Sequence, residues 1–461
     1  MEDDYLNENT DEIIRRYEQY LSGESSGYFD VEEFETIAEH YLRQGHTKDS
    51  YRALDLGMRL HPTSSELLLK RAKTFLASGE INKALAILEM QTDSDDYESK
   101  LLKIEAFSKL NRKKEAELII NHLIEQNEND LDAICLDVAF IYLAQGKNDF
   151  AMYYLELGYT ENTKNLDLLF ELAYGYELNE KTTNAIAIYN QIITIDPYIS
   201  EAWFNLGQLY FSLQEYTKSL EAFDFCIAID EKDSLAWLQK AHVYFYLLDF
   251  PNSIDACENF KKLYGEKWEV DFFIAESYER MQEYENAIEY YLKTIKVNPE
   301  FTESYACVGL CLLELERYQE SLTYFENALK LDPTQSDFFV YIAEAYSGMD
   351  NFSEALNAYK KALEKKPDQA NTWVAMGNVQ MDMGEYHDAL TSYLFAYDKN
   401  KELEYIELLL AVAYAKNQMY ENMFLYLNKL AENGENEVET FFEMCPEIVE
   451  ILSHLIEKKQ S

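Results

Sequence analysis

Apolar residues recur along most of the chain at the spacing i, i+3, i+4 and i+7, which is typical of one face of an amphipathic helix. Two such segments follow one another, and in several places a proline closes the pair. Proline cannot continue a helix because it lacks an N–H and clashes with the preceding turn. The pattern therefore predicts pairs of short helices closed by Pro62, Pro197, Pro299, Pro333 and Pro367.

A small residue inside the first helix of each pair reveals a repeat. Steps of 34 residues lead from Gly207 to further small residues, and the starts at positions 166 and 404 are seven such intervals apart. Glycine in a helix interior costs about 1 kcal/mol relative to alanine, so a close helix crossing is expected at Gly207. The residues in this register are Ala139, Ala173, Ala241, Ala275, Gly309, Ala343, Gly377 and Ala411.

Three other positions keep the same frame, counting the first residue of each repeat as position 1. Position 4 is large and mostly aromatic, as in Trp203, Trp237 and Trp373. Position 20 is small, as in Ala185 and Ser219. Position 24 is bulky in most copies, and examples are Tyr189, Phe223, Tyr291, Phe325, Tyr359 and Tyr393.

These residues resemble the tetratricopeptide repeat (TPR) family, whose pattern of Trp, Leu-Gly, Tyr, Ala, Phe, Ala and Pro is nearly reproduced in one copy. The matching residues there are Trp203, Leu206, Gly207, Tyr210, Ser219 and Phe223, and later copies add Ala328 with Pro333 and Ala362 with Pro367. The resemblance implies an all-α, right-handed superhelical solenoid of helix-turn-helix repeats.

The predicted organisation has three parts. Residues 1–30 hold an acidic helix, Asp11 to Leu21, and the linker "SGESSGYFD". Residues 31–437 hold about twelve repeats, with less regular frames starting at 31, 65, 97 and 132. Residues 438–461 hold a capping helix that starts near Pro446 and covers the last repeat, or alternatively contacts a second copy. Its apolar face consists of Ile448, Val449, Leu452, Leu455 and Ile456.

Composition limits the partners. The 461 residues carry 40 Lys and Arg against 85 Asp and Glu, a net charge of −45, which repels nucleic acid and anionic membrane surfaces. The N-terminal sequence lacks the basic and apolar regions of a secretory signal, and no run of 18 apolar residues occurs. Six scattered cysteines are typical of reduced structural thiols. We expect a cytoplasmic protein.

Candidate chemistry is sparse. The seven histidines show no metal-ligand spacing, and neither a Gly-rich phosphate loop nor a GxSxG turn occurs. Cys307 and Cys311 lie one helical turn apart, but two thiolates alone make a poor zinc site. Many of the 37 tyrosines occupy repeat core positions. A non-enzymatic protein without a cofactor or metal is expected.

The TPR resemblance implies that first-helix positions 2, 5, 6, 9, 12 and 13 line a concave, protein-binding face. In repeats five to ten these positions hold eleven acidic residues, one arginine, Arg280, and nine aromatic residues. Aromatic residues taken to be exposed beside carboxylates predict a recognition strip, in which rings anchor and acids select charge. Its candidate binding residues are Phe170, Glu171, Tyr174, Phe204, Asn205, Gln208, Phe272, Phe273, Glu276, Glu279, Tyr341 and Glu344.

One branch of the family binds the acidic tails of heat-shock chaperones through lysines and asparagines on these faces. Asn205 and Asn378 match such asparagines, but no lysines surround them, and Lys70 and Lys73 lie far away in repeat two. We therefore expect a scaffold or adaptor for a basic or amphipathic protein segment. The alternative is a homo-oligomeric building block, such as a homodimer, that associates through its terminal helices.

Overall fold

The computed structural model describes residues 2–24, 27–90, 96–127, 130–433 and 435–449. Within these ranges the fold is all-α and contains no strand, as the periodicity predicts. The chain forms two compact units, Met1–Ile229 and Asp230–Ser461, and each is described by itself below.

The helices of the first unit are α1 (Glu2–Ser22), α2 (Val31–Arg43), α3 (Thr47–Leu60), α4 (Ser65–Ala77), α5 (Ile81–Met90), α6 (Tyr97–Lys109), α7 (Lys113–Gln126), α8 (Leu131–Leu143), α9 (Asn148–Glu161), α10 (Leu166–Leu178), α11 (Thr182–Ile195), α12 (Ser200–Ser212) and α13 (Tyr216–Ile229). Those of the second unit are α14 (Ser234–Tyr246), α15 (Phe250–Tyr264), α16 (Trp268–Arg280), α17 (Tyr284–Val297), α18 (Thr302–Glu314), α19 (Tyr318–Leu331), α20 (Asp337–Gly348), α21 (Phe352–Lys365), α22 (Ala370–Asp382), α23 (Tyr386–Lys399), α24 (Ile406–Lys416), α25 (Tyr420–Asn433) and α26 (Glu435–Met444).

From α2 to α25 the helices alternate as first and second members of a pair, and successive pairs stack within each unit. This is a solenoid of helix-turn-helix repeats. Every described first helix begins within two residues of the repeat start that the 34-residue frame assigns. The wider division into terminal segments and repeats stays a prediction.

Both ends of the chain differ in detail from the hydrophobic pattern. Helix α1 begins at Glu2 rather than Asp11, and the pattern gave no sign of these turns because they carry no apolar periodicity. The end of the supposed linker is packed, since Phe29 is fully buried and its ring lies 5.9 Å from that of Tyr17. Near the other end, Ile448 is buried and Val449 is exposed, while Leu452, Leu455 and Ile456 lie outside the described residues.

The expected close crossing within a pair occurs where the small position 8 meets the bulky position 24. A β-carbon placed on Gly207 would lie 2.7 Å from the Phe223 ring, and one on Gly309 would lie 2.4 Å from the Phe325 ring. Position 20 supports the same contact, because the Ser219 hydroxyl donates to the Gly207 carbonyl oxygen at 2.7 Å. The missing side chain therefore makes room for one particular ring of the partner helix.

Successive repeats are joined by the aromatic residue at position 4 and the proline at position 32 before it. The indole Nε1 of Trp203 donates to the Pro197 carbonyl oxygen at 2.9 Å, and Trp373 makes the same bond to Pro367 at 2.8 Å. The bond gives the indole N–H a partner and ties the first helix to the turn that precedes it. The aromatic residue at position 4 and the proline at position 32 thus form one contact between successive repeats.

The turn between paired helices has one fixed backbone feature. Position 15 adopts a left-handed conformation in every described pair, and only four of these twelve residues are glycine: Gly45, Gly79, Gly146 and Gly384. The others have a β-carbon, which makes this conformation unfavourable by about 1–2 kcal/mol each. They are Asn111, Glu180, Gln214, Leu248, Gln282, Glu316, Asp350 and Gln418.

A buried ion pair replaces the aromatic joint between α15 and α16. The Lys261 ammonium donates to Asp271, at position 4 of its repeat, at 2.7 Å, and both side chains are less than a tenth exposed. Burial alone would lower the pKa of Lys261, but the hydrogen bonds to Asp271 and Glu266 raise it above its usual value. The lysine therefore stays charged inside the repeat junction.

All six cysteines are free thiols, and five of them are buried. None of the described helices is both long enough and apolar enough to cross a membrane.

Candidate functional site

The predicted strip falls on both units. Helices α10 and α12 carry its first half, in the unit Met1–Ile229, and helices α16 and α20 carry the second half, in the unit Asp230–Ser461.

In the first unit, the two phenylalanines of the strip rest on the position 24 ring of their own repeat. Phe170 lies 6.1 Å from Tyr189 and Phe204 lies 5.6 Å from Phe223, both edge to face. Tyr174 is different, since half of it is exposed. Only Tyr174 among these three offers most of its ring to a ligand.

Polar residues of the first unit form a short chain of hydrogen bonds beneath the strip. The Asn205 amide donates to the Tyr189 hydroxyl at 3.1 Å, and that hydroxyl donates to the Glu177 carboxylate at 2.7 Å. Asn205 is thereby held in one orientation. Gln208 is exposed, and burial raises the pKa of Glu171.

In the second unit, Phe272 and Phe273 point their rings into different aromatic clusters. Phe272 lies 5.2 Å from Tyr291 and 5.1 Å from Phe301. Phe273 lies 4.9 Å from both His242 and Phe245. On α20, Tyr341 lies 5.3 Å from Phe325 of the previous repeat.

The expectation of exposed aromatic residues is therefore wrong for most of the strip. Of the nine aromatic residues at the groove positions of repeats five to ten, only Tyr174 and Tyr246 are exposed, and the other seven are half-buried. The reason is that residues at positions 5 and 6 also cover the bulky position 24 or the neighbouring repeat, while those at position 12 pack on the aromatic residue at position 17. The half-buried rings are Phe170, Phe204, Phe211, Phe245, Phe272, Phe273 and Tyr341.

The carboxylates of the second unit fall into two kinds. Glu279 accepts a hydrogen bond of 2.5 Å from the Tyr291 hydroxyl, so it is partly engaged inside the repeat. Glu276 and Glu344 have no ion pair or hydrogen bond within the described residues. Burial raises the pKa of both, and for Glu276 the charge of Glu279 adds to this effect while Arg280 opposes it.

Other polar residues near this face do not add positive charge. Burial lowers the pKa of His242 below its usual value, so the imidazole is neutral at pH 7. Burial raises the pKa of the Cys307 thiol to about 12 and that of Cys311 further, so both are protonated. No group of His, Cys, Asp and Glu suited to a metal ion occurs in the described part of the chain.

The asparagines and lysines compared with a chaperone-tail clamp have partners inside the fold. Asn378 accepts from the Tyr393 hydroxyl at 2.7 Å, much as Asn205 bonds to Tyr189. Lys70 pairs with Glu39 at 3.0 Å, and Lys73 pairs with Glu98. These contacts neutralise the two lysines.

Sequence reasoning missed the role of position 24 in the strip. The hydroxyl groups of its tyrosines bind side chains at position 6, 9 or 12 of a first helix. The signal in the sequence was partial. Tyr189 and Tyr291 stand in repeats whose position 12 is glutamate, but Phe223 stands in a repeat whose position 9 is an amide, Gln208.

Paired helices in a fixed frame, with a polar and aromatic strip on the first helices, define a helical-repeat protein. Three models of the family described as "Tetratricopeptide repeat" match residues 200–233, 238–336 and 312–377. The chain is a tetratricopeptide repeat protein. Members of this family are generally non-enzymatic scaffolds for protein–protein interaction.

No curated protein matches the chain significantly. Among solved structures, YrrB, a TPR protein with an unusual peptide-binding site, is 20% identical, with 41% of this chain and 96% of that one covered and a TM-score of 0.36. The C-terminal part of a TPR repeat-containing protein from Cytophaga hutchinsonii is 14% identical, with 53% and 95% covered and a TM-score of 0.43. The APC/C hetero-tetramer Cut9-Hcn1 is 13% identical, with 83% and 96% covered and a TM-score of 0.35.

Proposed function

We propose that this non-enzymatic scaffold binds a basic or amphipathic protein segment along the concave strip of its first helices. The observation that carries the proposal is the state of Glu276 and Glu344. Burial raises the pKa of both carboxylates, although only Glu276 is half-buried and Glu344 is exposed, and neither has an ion pair within the described residues.

A partner cation would offset this cost. Removing a carboxylate from water is unfavourable unless a hydrogen bond or an opposite charge compensates it. A lysine or arginine laid against Glu276 or Glu344 supplies that compensation only in the complex, which favours binding of a positively charged segment.

The neighbouring rings supply apolar contact. Phe272, Phe273 and Tyr341 are each fixed by another ring, so little side-chain freedom is lost when a ligand covers their remaining surface. Glu171 and the exposed Tyr174 repeat the combination in the first unit. An amphipathic segment matches rings beside carboxylates better than a purely charged one does.

The alternative, association of two copies through the terminal helices, is supported by apolar exposure near the C terminus. Val449 is 52% exposed and Met444 is 45% exposed. A molecular mass in solution that rises with protein concentration would favour this alternative.

We place the protein in the cytoplasm, a proposal supported by its six free cysteines.

The test uses the full chain and a defined probe, an amphipathic peptide of alternating lysine and leucine, with a glutamate–leucine peptide as its counterpart. Fluorescence anisotropy should show binding of the lysine peptide only. The double variant Glu276→Gln with Glu344→Gln should weaken binding about tenfold, since two partly desolvated charge contacts are lost. Rising salt should weaken wild-type binding in part, leaving the apolar share.

The matched control is Glu326→Gln with Glu364→Gln, two exposed glutamates on second helices that change the net charge equally. It should bind as the wild type does. If both double variants lose the same affinity, overall charge explains the binding, and the concave strip is not its site.

A further inference from the structure

A cavity of about 230 Å³ lies in the first unit, where the turns of repeats three and four meet. It is separate from the concave strip and does not depend on the function proposed for it. Its walls come from the end of α6, the start of α7, the end of α8 and the start of α9. The lining residues are Ser108, Asn111, Lys113, Tyr142, Lys147 and Phe150.

Position 17, the first residue of the second helix, is not aromatic in the first five repeats, and in repeat three, beside the cavity, it is lysine. In seven consecutive later repeats this position is Tyr or Phe. An aromatic ring at position 17 packs against the next repeat. The Tyr318 ring, for example, lies so close to Gly348 that a β-carbon on this glycine would be 2.5 Å from the ring. In repeat three the residue is Lys113. The aromatic residues are Tyr216, Phe250, Tyr284, Tyr318, Phe352, Tyr386 and Tyr420.

Two ammonium groups and no carboxylate line this cavity, in a chain whose net charge is −45. The Lys147 ammonium donates to the Ser108 hydroxyl oxygen at 3.0 Å and to the Ser108 carbonyl oxygen, and it pairs with no carboxylate in the described ranges. Burial lowers the pKa of Lys147, as expected for an ammonium without a counter-ion. Lys113 lies over the Phe150 ring at 4.6 Å and 3.5 Å from Glu117.

Further hydrogen-bond donors surround the same place. Helices α7 and α9 begin at Lys113 and Asn148, and neither has a side chain capping its N terminus. The first N–H groups of a helix lack partners within it and favour anions. The Gln145 amide accepts from the Ser108 hydroxyl at 2.9 Å, while its own buried Nε2 has no partner among the described residues.

We propose that this cavity binds a phosphoryl group, held between Lys113 and Lys147. A phosphate monoester carries nearly two negative charges at neutral pH and three acceptor oxygens, which match two ammonium groups and several N–H and O–H donors. A single carboxylate would leave one lysine and part of these donors unmatched.

The surroundings separate two sources of such a group. A groove of about 480 Å³ between α7 and α9 shares Lys113 and Phe150 with the cavity and continues past Ile124, Tyr153 and Leu157. Glu117 and Asp149 also line it and repel a second anion. A phosphorylated side chain followed by apolar residues fills cavity and groove together, whereas a free phosphomonoester fills the cavity alone.

The test is isothermal titration of the full chain with inorganic phosphate, O-phosphoserine and a phosphoserine peptide with apolar flanking residues, at constant ionic strength. All three should bind, and the peptide should bind more tightly than O-phosphoserine if the groove takes part. Lys113→Gln and Lys147→Gln should each weaken binding about tenfold, since each removes a charge-assisted contact. Lys114→Gln, which removes the same charge beside the cavity, should change affinity less than twofold by the same reasoning.

A second variant guards against loss of folding. Lys113→Tyr restores the aromatic residue of the later repeats, so it should fill the cavity and abolish phosphate binding while circular dichroism and thermal stability stay unchanged or improve. The proposal is overturned if no probe binds at a concentration of about 10 mM, which is well above the Kd expected for a site with two charge-assisted contacts. It is equally overturned if Lys114→Gln weakens binding as much as Lys147→Gln, or if Lys113→Tyr still binds phosphate.

Discussion

The ring of Phe223 occupies the space that a side chain on Gly207 would need. A β-carbon there would lie 2.7 Å from both Cε1 and Cζ of the ring, closer than real β-carbon contacts come. Phe223 is fully buried, so the ring has little room to move aside. The glycine and the phenylalanine are therefore one packing unit.

Gly207→Ala should destabilise the first unit, although alanine is the better helix former. We expect a loss of about 1–3 kcal/mol from overpacking, against a gain of about 1 kcal/mol in helix propensity. Denaturant unfolding followed by circular dichroism measures the balance. Adding Phe223→Leu replaces the ring with a smaller side chain and should recover part of the lost stability. A Gly207→Ala variant as stable as the wild type would contradict the packing described.

Leu248→Asn should stabilise the second unit. Leu248 has a φ of 61° and is 73% exposed, so the change relieves backbone strain without loss of buried surface. Asparagine tolerates the left-handed conformation better, and the expected gain is up to about 1 kcal/mol. The neighbouring Leu247, with an ordinary helical φ, provides the control: Leu247→Asn should bring no gain.

Asp271→Asn should strongly destabilise the second unit, because it leaves the Lys261 charge buried without its closest partner. Loss of one member of a buried pair costs about 3 kcal/mol or more. Glu266→Gln, which removes the exposed partner of the same lysine, should cost less than about 1 kcal/mol. The double variant Asp271→Asn with Lys261→Met should recover most of the loss; if it does not, the pair is not the source of the stability.

Glu276→Gln should make the fold more stable at neutral pH while weakening ligand binding. The folded-state pKa of Glu276 is raised, so its contribution to stability is present below the unfolded pKa and is lost as pH rises through the folded pKa. The glutamine that replaces it carries no charge at any pH in this range, so the variant does not lose this stability. Its advantage over the wild type in thermal unfolding should therefore grow from pH 5 to pH 8, by the sign just given. An advantage that shrinks over this range would contradict a desolvated carboxylate.

Deleting residues 302–335 should leave a folded helical protein, because the deletion removes one whole repeat and joins Phe301 to Ser336 in frame. Phe339 then takes the place of Tyr305 beside Pro299, losing only the hydroxyl bond of 3.2 Å. Far-ultraviolet circular dichroism and gel filtration should show a monodisperse, helical product. Deleting only 302–318, half a repeat, should give an aggregated one.

Sequence alone predicted the helix pairs well, because the signals that define them are local and recur. Trp203 and Pro197 mark the junction between two repeats, whereas Gly207 marks the helix crossing within one repeat, and the structure shows both contacts where the repeat frame places them. The family assignment follows from the same residues.

The candidate site was less predictable, because the exposure of its side chains depends on neighbouring residues that the repeat frame does not specify. Phe272 and Phe273 occupy groove positions, yet Tyr291, Phe301 and Phe245 cover them in part. The desolvation of Glu276 and the engagement of Glu279 by Tyr291 depend on where another helix places its hydroxyl. The ion pair of Lys261 and Asp271 gave no periodic signal, since it departs from the repeat.

The left-handed residue at position 15 bears on the order of folding. Where that residue is Leu248 or Gln282, its own preference opposes the turn, so the turn cannot nucleate a repeat. We expect the two helices to be held together first by packing in the core cluster that contains Ala275 and Tyr291, and the turn to close afterwards. Each such helix pair is thus stabilised by contacts between its helices rather than by its turn. Substitutions at position 15 should therefore alter the unfolding rate more than the folding rate.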